Sequence, residues 1–299
     1  MSFIQRKIKV VFSYGTGMKG DGPPRVYQIT DHRTICMAEV TGDLGMGQLN
    51  LRIYGLSDSL MNELAQVGKT PQVFRRNSVV VSAGNDVDGL SQVYTGTIIQ
   101  AYADFGGMPE VCFNVIASVG GIHAAIPISA LSYPGNADAA VILGFLAQIM
   151  QVGFEPNGVS VILRDRYYKG TALEQVKACI RDANVEWNGL ENNILAIWPK
   201  HGIRPGRIPL ISPETGLVGY PTYNALGMTL TTVYNPAIRF GTLVEVDSHL
   251  PVPSGMVEMI KNNQYKVIKM NHSLMSEVPG GAWFTQLTLV IPGLVVSGK

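Results

Sequence analysis

Three glutamates, Glu155, Glu186 and Glu191, are the strongest candidates for chemistry in this sequence. Two carboxylates that meet in a fold can divide acid and base roles in glycoside hydrolysis, and chain spacing alone neither makes nor excludes such a pair. The other constellations fall short. The five histidines, His32, His123, His201, His249 and His272, include no pair three or four residues apart, so none forms a helical metal pair. Ser212-Pro213-Glu214-Thr215 reads as a turn, and no G-x-S-x-G elbow is present. Residues 15–24 are glycine-rich, yet they lack the G-x-x-x-x-G-K-[ST] spacing, and Pro23-Pro24 forbids a helix directly after them. They read as a hairpin tip. Cys36, Cys112 and Cys179 are odd in number and widely spaced, with no C-x-x-C. They suit small apolar core positions in a reducing compartment, not a disulfide framework or a zinc site. The sequence therefore predicts no catalytic residue, no metal site and no cofactor.

The surface that such a chain presents is unusual. Of 299 residues, 46% are apolar and only 15% are charged, where about 25% charged is usual. A surface this sparsely charged is one that partners cover. The net charge of +1 gives no basic excess for binding nucleic acid. Arg6-Lys7, Arg75-Arg76 and the arginines at 204 and 207 are short, scattered groups. The N-terminus is not patterned as a signal peptide. The most apolar run, 137–150, contains Asp138, Gly144 and Gln148 and is too short and polar to span a bilayer.

The elements that must position these residues fall into three parts. Residues 1–118 read as one β unit. Its strands lie near 8–14, 26–30, 35–41, 48–54, 79–83, 92–102 and 111–117. A helix capped by Ser57 carries Leu60, Met61, Leu64 and Val67 and ends at Gly68. Residues 119–136 are small and loop-like, with Pro127 and Pro134, and read as a linker. Residues 137–199 change texture. A helix over 137–152 places Val141, Phe145, Ile149 and Val152 near one face. A strand over 158–164 follows, then a helix over 171–183 whose Thr171 and Glu174 form a capping box. A hairpin, 185–188 with 194–198, turns around Gly189. This is a small α+β unit. Residues 200–299 return to β texture, with strands near 228–234, 241–246, 264–271 and 283–290, a Pro-rich loop over 250–254 and a turn at Pro279-Gly280-Gly281.

The densest concentration of Gly, Pro and Asn lies in 194–248, between short runs of Thr, Val, Ile and Leu. Proline fixes φ and lacks an N–H, so Asn235-Pro236 marks a turn between two strands. Trp198, Tyr220, Tyr223, Tyr234, Phe240 and Trp283 also gather in this last third. Aromatics there can stack on sugars or bases, but they dominate cores and subunit interfaces more often. The string Ile211-Ser-Pro-Glu-Thr-Gly-Leu-Val-Gly-Tyr-Pro-Thr222, followed by Tyr234-Asn-Pro-Ala-Ile-Arg-Phe-Gly241, resembles the baseplate hub protein of contractile-tailed bacteriophages, the family of the T-even phage hub. Trp198-Pro199 and Ala282-Trp283-Phe284-Thr285 fit the same pattern.

That resemblance implies a β-rich α+β fold with two tail-tube-like β-barrel domains flanking the small α+β domain. It implies a structural, non-enzymatic hub. Three copies would form a ring adapting the sixfold tail tube to the threefold spike and giving a DNA channel. The partners it implies are tail tube or tube-initiator proteins, the central spike and other baseplate proteins. DNA would pass only in transit, with no membrane insertion. The protein would sit in the virion tail baseplate after assembly in the bacterial host cytoplasm. Place in the motif makes Tyr220, Pro221, Asn235 and Arg239 candidate interface residues. A cell-wall-degrading tail enzyme and a carbohydrate-binding module are the alternatives.

Overall fold

The strand β4 (Gln48–Tyr54) illustrates why this chain builds sheet. Leu49, Leu51 and Ile53 are fully buried while Gln48, Asn50 and Arg52 between them are exposed. A period of two puts one face in the core and the other in solvent. Each buried aliphatic contributes about 1.5–3 kcal/mol relative to exposure. The computed structural model describes residues 5–16, 22–42, 46–65, 76–224, 227–249 and 263–293. The predicted Pro-rich loop at 250–254, the end of the first helix at Val67 and Gly68, and part of the glycine-rich tip lie outside the described residues.

The N-terminal β unit consists of β1 (Arg6–Thr16), β2 (Gly22–Ile29), β3 (Thr34–Thr41), β4, α1 (Asp58–Leu64), β5 (Ser78–Asn85), β6 (Gly89–Asp104) and β7 (Cys112–Ser118). These are the seven strands and one helix that the sequence predicts. Ser57 caps α1, its side chain accepting from the Leu60 N–H.

The middle of the chain differs in detail. The stretch read as a linker holds α2 (Gly121–Ala125) and most of β8 (Leu131–Asp138), which pairs antiparallel with β10 (Ile162–Tyr168). The predicted strand at 158–164 therefore sits a few residues later, and Gly158 lies in a turn with φ 78°. Between them come α3 (Ala139–Met150) and β9 (Gly153–Glu155). The predicted inner face of α3 is its outer face: Val141, Phe145 and Ile149 are exposed, while Ile142, Leu143, Leu146, Ala147 and Met150 are buried. A helix apolar on both sides gives periodicity nothing to choose between. Then α4 (Ala172–Ala183) begins with the expected capping box. Thr171 Oγ1 accepts from the Glu174 N–H at 3.2 Å, and Glu174 Oε2 accepts from the Thr171 N–H at 2.8 Å. The hairpin of β11 (Val185–Trp187) and β12 (Ile194–Pro199) is present, with β9 parallel on its other side.

The C-terminal part comprises β13 (Leu210–Ile211), β14 (Leu217–Asn224), β15 (Gly227–Val233), β16 (Leu243–Val246), β17 (Gln264–Ser276) and β18 (Trp283–Val290). The sequence predicts two separate β units; β17 pairs with β3 over eight residue pairs and joins them edge to edge. The result, among the described residues, is a sheet of 13 strands, ordered β14-β15-β18-β17-β3-β4-β7-β6-β5-β1-β2, with β16 paired to β17 and β13 to β16. The fold is mostly β, with four α-helices among the described residues.

Two cores lie beneath this sheet. One gathers Phe12, Leu51, Phe113 and Leu274 with the inner faces of α3 and α4. The other gathers Trp198, Met228, Met270 and Leu287. Along β17 the border falls between Leu274 and Met270, at His272, whose cross-strand neighbours are Thr285 and Ala38. His272 Nδ1 lies 2.8 Å from Thr285 Oγ1, so a polar pair sits between the two oily halves on β17 and β18.

Candidate functional site

The face of the sheet opposite the cores carries side chains in register across both β units. One row runs Val218, Thr231, Gln286, Asn271, Glu39, Gln48 and Ser118, from β14 to β7. The next runs Val233, Phe284, Ser273, Met37, Asn50 and Ile116. A third holds Thr222, Thr229, Thr288, Lys269 and Thr41. Direct opposition places such side chains in contact range. The rows are almost all neutral: amides, hydroxyls and the apolar Val218, Val233, Phe284, Met37 and Ile116. The charges within these rows are one pair, with Lys269 Nζ 2.5 Å from Glu39. Arg52 adds a cation nearer one end. A hollow of about 410 Å³ on this face is lined by Asn50, Asn271 and Gln286 among others.

Among the described residues the sheet order ends at β14, which has β15 on one side only, and at β2. Within the sheet β6 is divided: β5 pairs with Gly89–Thr97, and β7 pairs with Thr97–Asp104. Beyond Ile98, whose N–H donates to the Asn77 carbonyl, the outer side of β6 has no strand partner among the described residues, and Ile99 is exposed there. Unpaired edges are pairing templates.

The four candidate interface residues fall on two elements. Tyr220, 75% exposed, and the buried Pro221 lie in β14, at an irregularity in its register with β15. Proline is tolerated in such an edge strand because its missing N–H is not needed by a ladder. Asn235 and Arg239 lie in the loop after β15. Asn235 Oδ1 accepts from the Ala237 N–H at 2.9 Å and shapes the turn predicted at Asn235-Pro236. Arg239 is exposed, and its carbonyl accepts from the Thr242 hydroxyl.

The three candidate carboxylates do converge, but on cations. Arg204 is 2% exposed and donates to Glu155 at 3.0 Å, to Glu191 at 2.8 Å and to the Phe240 carbonyl. Burial pushes the Glu191 carboxyl above its usual range, while Arg204 and the Phe240 N–H pull the other way. The space beside Glu191 is about 10 Å³, too small for a sugar. Glu186 accepts from the Trp198 indole N–H at 2.9 Å and from Lys266 Nζ. Desolvation raises its carboxyl, but those bonds outweigh it and hold it below the usual range. These groups rivet the α+β unit to the C-terminal sheet. Gly241 allows the joint to close: its φ is 82°, and a Cβ there would meet the Trp198 ring at 2.6 Å. Among the described residues no cluster of three or more His, Cys, Asp or Glu could hold a metal. Sequence reading missed β14 as a strand, hidden by Gly219 and Pro221, and the pairing of β3 with β17 that joins the two β units. The outward-facing residues of β4 and β18 are legible from their alternation, but not their union into one wall.

A family model described as Baseplate hub gp41 matches residues 48–277. The chain belongs to the baseplate hub gp41 family. No curated protein matches the sequence. Among solved structures, the hub is similar to the tail protein from Neisseria meningitidis MC58, at 11% identity and a TM-score of 0.57, covering 94% of this chain and 96% of that one. It is similar to the 43 kDa tail protein of prophage MuSo2 from Shewanella oneidensis, at 10% identity and 0.58, covering 95% and 97%. It is also similar to the E. coli c3393 protein, at 8% identity and 0.55, covering 87% and 73%. That protein is described as a component of the type VI secretion system with structural similarity to the T4 tail proteins gp27 and gp5. Identities this low establish a shared fold. Family membership makes the hub a structural, non-enzymatic component of a phage tail baseplate.

Proposed function

We propose that three copies of the hub form a ring whose inner surface is the neutral wall, giving a channel for DNA between a sixfold tail tube and a threefold spike. The observation that carries this reading is the wall's continuity across both β units. Residues 1–118 and 200–299 act as two tube-like halves, 119–136 as a connector, and 137–199 as an outer α+β unit. Two alike halves per copy let a trimer meet sixfold symmetry on one face and threefold on the other. Closure is head to tail. The open side of β14, with Tyr220 and Pro221, meets the open part of β6 in the next copy, with Arg239 and the Asn235 turn beside the joint. Main-chain pairing of this kind covers the open side of β14 and the open part of β6 at once. Amides and hydroxyls suit a wall past which a polyanion slides, because each lysine or arginine in contact with phosphate would hold it through counterion release. Tube or tube-initiator proteins, the spike and other baseplate proteins are the remaining partners.

Light scattering on purified protein tests the reading. The expected mass is about three times 32.3 kDa, with rings in negative stain. A strictly monomeric species at every concentration, including in the presence of the other tail components, would overturn it.

A further inference from the structure

Three exposed cations from two elements converge on one groove. Lys177 and Arg181 stand one turn apart on α4, and Lys200 lies in the turn after β12. The groove holds about 360 Å³, and its apolar lining is the buried Ile180, Val185 and Trp187. No carboxylate lines it. Among the described residues none of the three side chains has a hydrogen bond or an ion pair. The carboxylates near them in the chain are committed elsewhere: Glu174 to the Thr171 N–H, Asp182 to Arg166 and Tyr168, and Glu186 to Lys266 and Trp198. Like charges four residues apart on a helix repel. Arg181, in the last turn of α4, complements the helix dipole. Lys200 comes from another element and adds a third like charge, which helix stabilisation does not explain.

We propose that this groove binds an acidic segment of another tail protein, its carboxylates set against Lys177, Arg181 and Lys200. Carboxylates that meet cations over an apolar floor are partly desolvated, and the attraction is stronger there than in open water. A second copy of the hub is the wrong source. No two acidic residues are adjacent in its sequence. The pairs two apart, Asp86 with Asp88 and Glu245 with Asp247, already engage Lys7 through Asp86 and His249 through Asp247. Nucleic acid is also the wrong occupant. Trp187 is 2% exposed, so the groove offers bases no ring to stack on. Three cations are few for a duplex, which is held through many phosphate contacts.

Carbodiimide cross-linking of assembled tails, read by mass spectrometry, tests the proposal, because the reagent joins a lysine only to a carboxylate beside it. The expected product joins Lys177 or Lys200 to an Asp or Glu of a chain other than the hub. Neither lysine joined, or both joined only to hub residues, overturns it. A fluorescent hexaglutamate peptide gives a second reading on purified hub. The triple substitution Lys177→Gln, Arg181→Gln and Lys200→Gln is expected to weaken its binding at least tenfold. Lys169→Gln with Arg207→Gln, exposed positions outside the groove, should change it less than twofold. All five side chains are exposed, so both variants keep the wild-type unfolding midpoint. No binding, equal losses in the two variants, or equal competition by an oligothymidylate of the same charge overturns the proposal. The partner's being a tail protein rests on the baseplate reading and not on the ring: a strictly monomeric hub sinks the ring and leaves the groove to these two assays.

Discussion

Arg204 shows how little its neighbourhood in the chain says about its role. Arg204 and Arg207 look like scattered surface cations in the sequence, yet Arg204 closes the joint between β9, the turn holding Glu191 and the loop at Phe240. Replacing it with alanine leaves Glu191 buried without its cation, which costs about 3–5 kcal/mol. The urea midpoint of Arg204→Ala is expected to fall accordingly; a shift equivalent to less than 1 kcal/mol would show that the joint is not structural. His272 offers a pH test. Burial lowers its pKa to about 4 from an ordinary 6.5. The unfolded chain therefore binds the proton first as the pH falls. The contribution is complete above pH 6.5 and is lost progressively down to about pH 4, by at most about 3 kcal/mol. His272→Gln, which can still bond Thr285, should flatten the slope of stability between pH 6.5 and 4. An unchanged slope in chemical denaturation would locate the titration elsewhere.

Among the elements, α4 and α3 form an instructive contrast. The start of α4 is legible because a capping box is local chemistry: Thr171 and Glu174 need only each other's backbone. Thr171→Ala should cost about 1 kcal/mol, read as a lowered denaturation midpoint, and an unchanged midpoint would mean that packing alone holds the first turn. The face of α3 is not legible, because both sides offer apolar residues and only the position of α4 selects one. Strand β14 escapes sequence reading for a different reason. Its Gly219 and Pro221 are disfavoured in strands, and an edge tolerates them because half its ladder is unused.

For the whole molecule, the decisive feature is that the two ends of the chain share one sheet and one polar face. If β14 closes the ring, cations on that edge should open it. Val218→Lys together with Tyr220→Lys, both at exposed positions, is expected to leave the far-UV circular dichroism unchanged and shift the mass from trimer to monomer. A variant that remains trimeric would place the subunit contact on another surface.

The sequence by itself determined the strands of the first β unit, the capped helices α1 and α4, the hairpin around Gly189, the turn at Asn235 and the family to which the motif around Tyr220 and Phe240 belongs. Each of these depends on interactions between residues near in the chain, or on alternation that one strand displays alone. Only the tertiary structure decided that Glu155 and Glu191 meet on Arg204, that the outer face of α3 is bare, and that β3 lies against β17. Those outcomes depend on which distant surfaces come together, and pairing over such separations leaves no local periodicity to read.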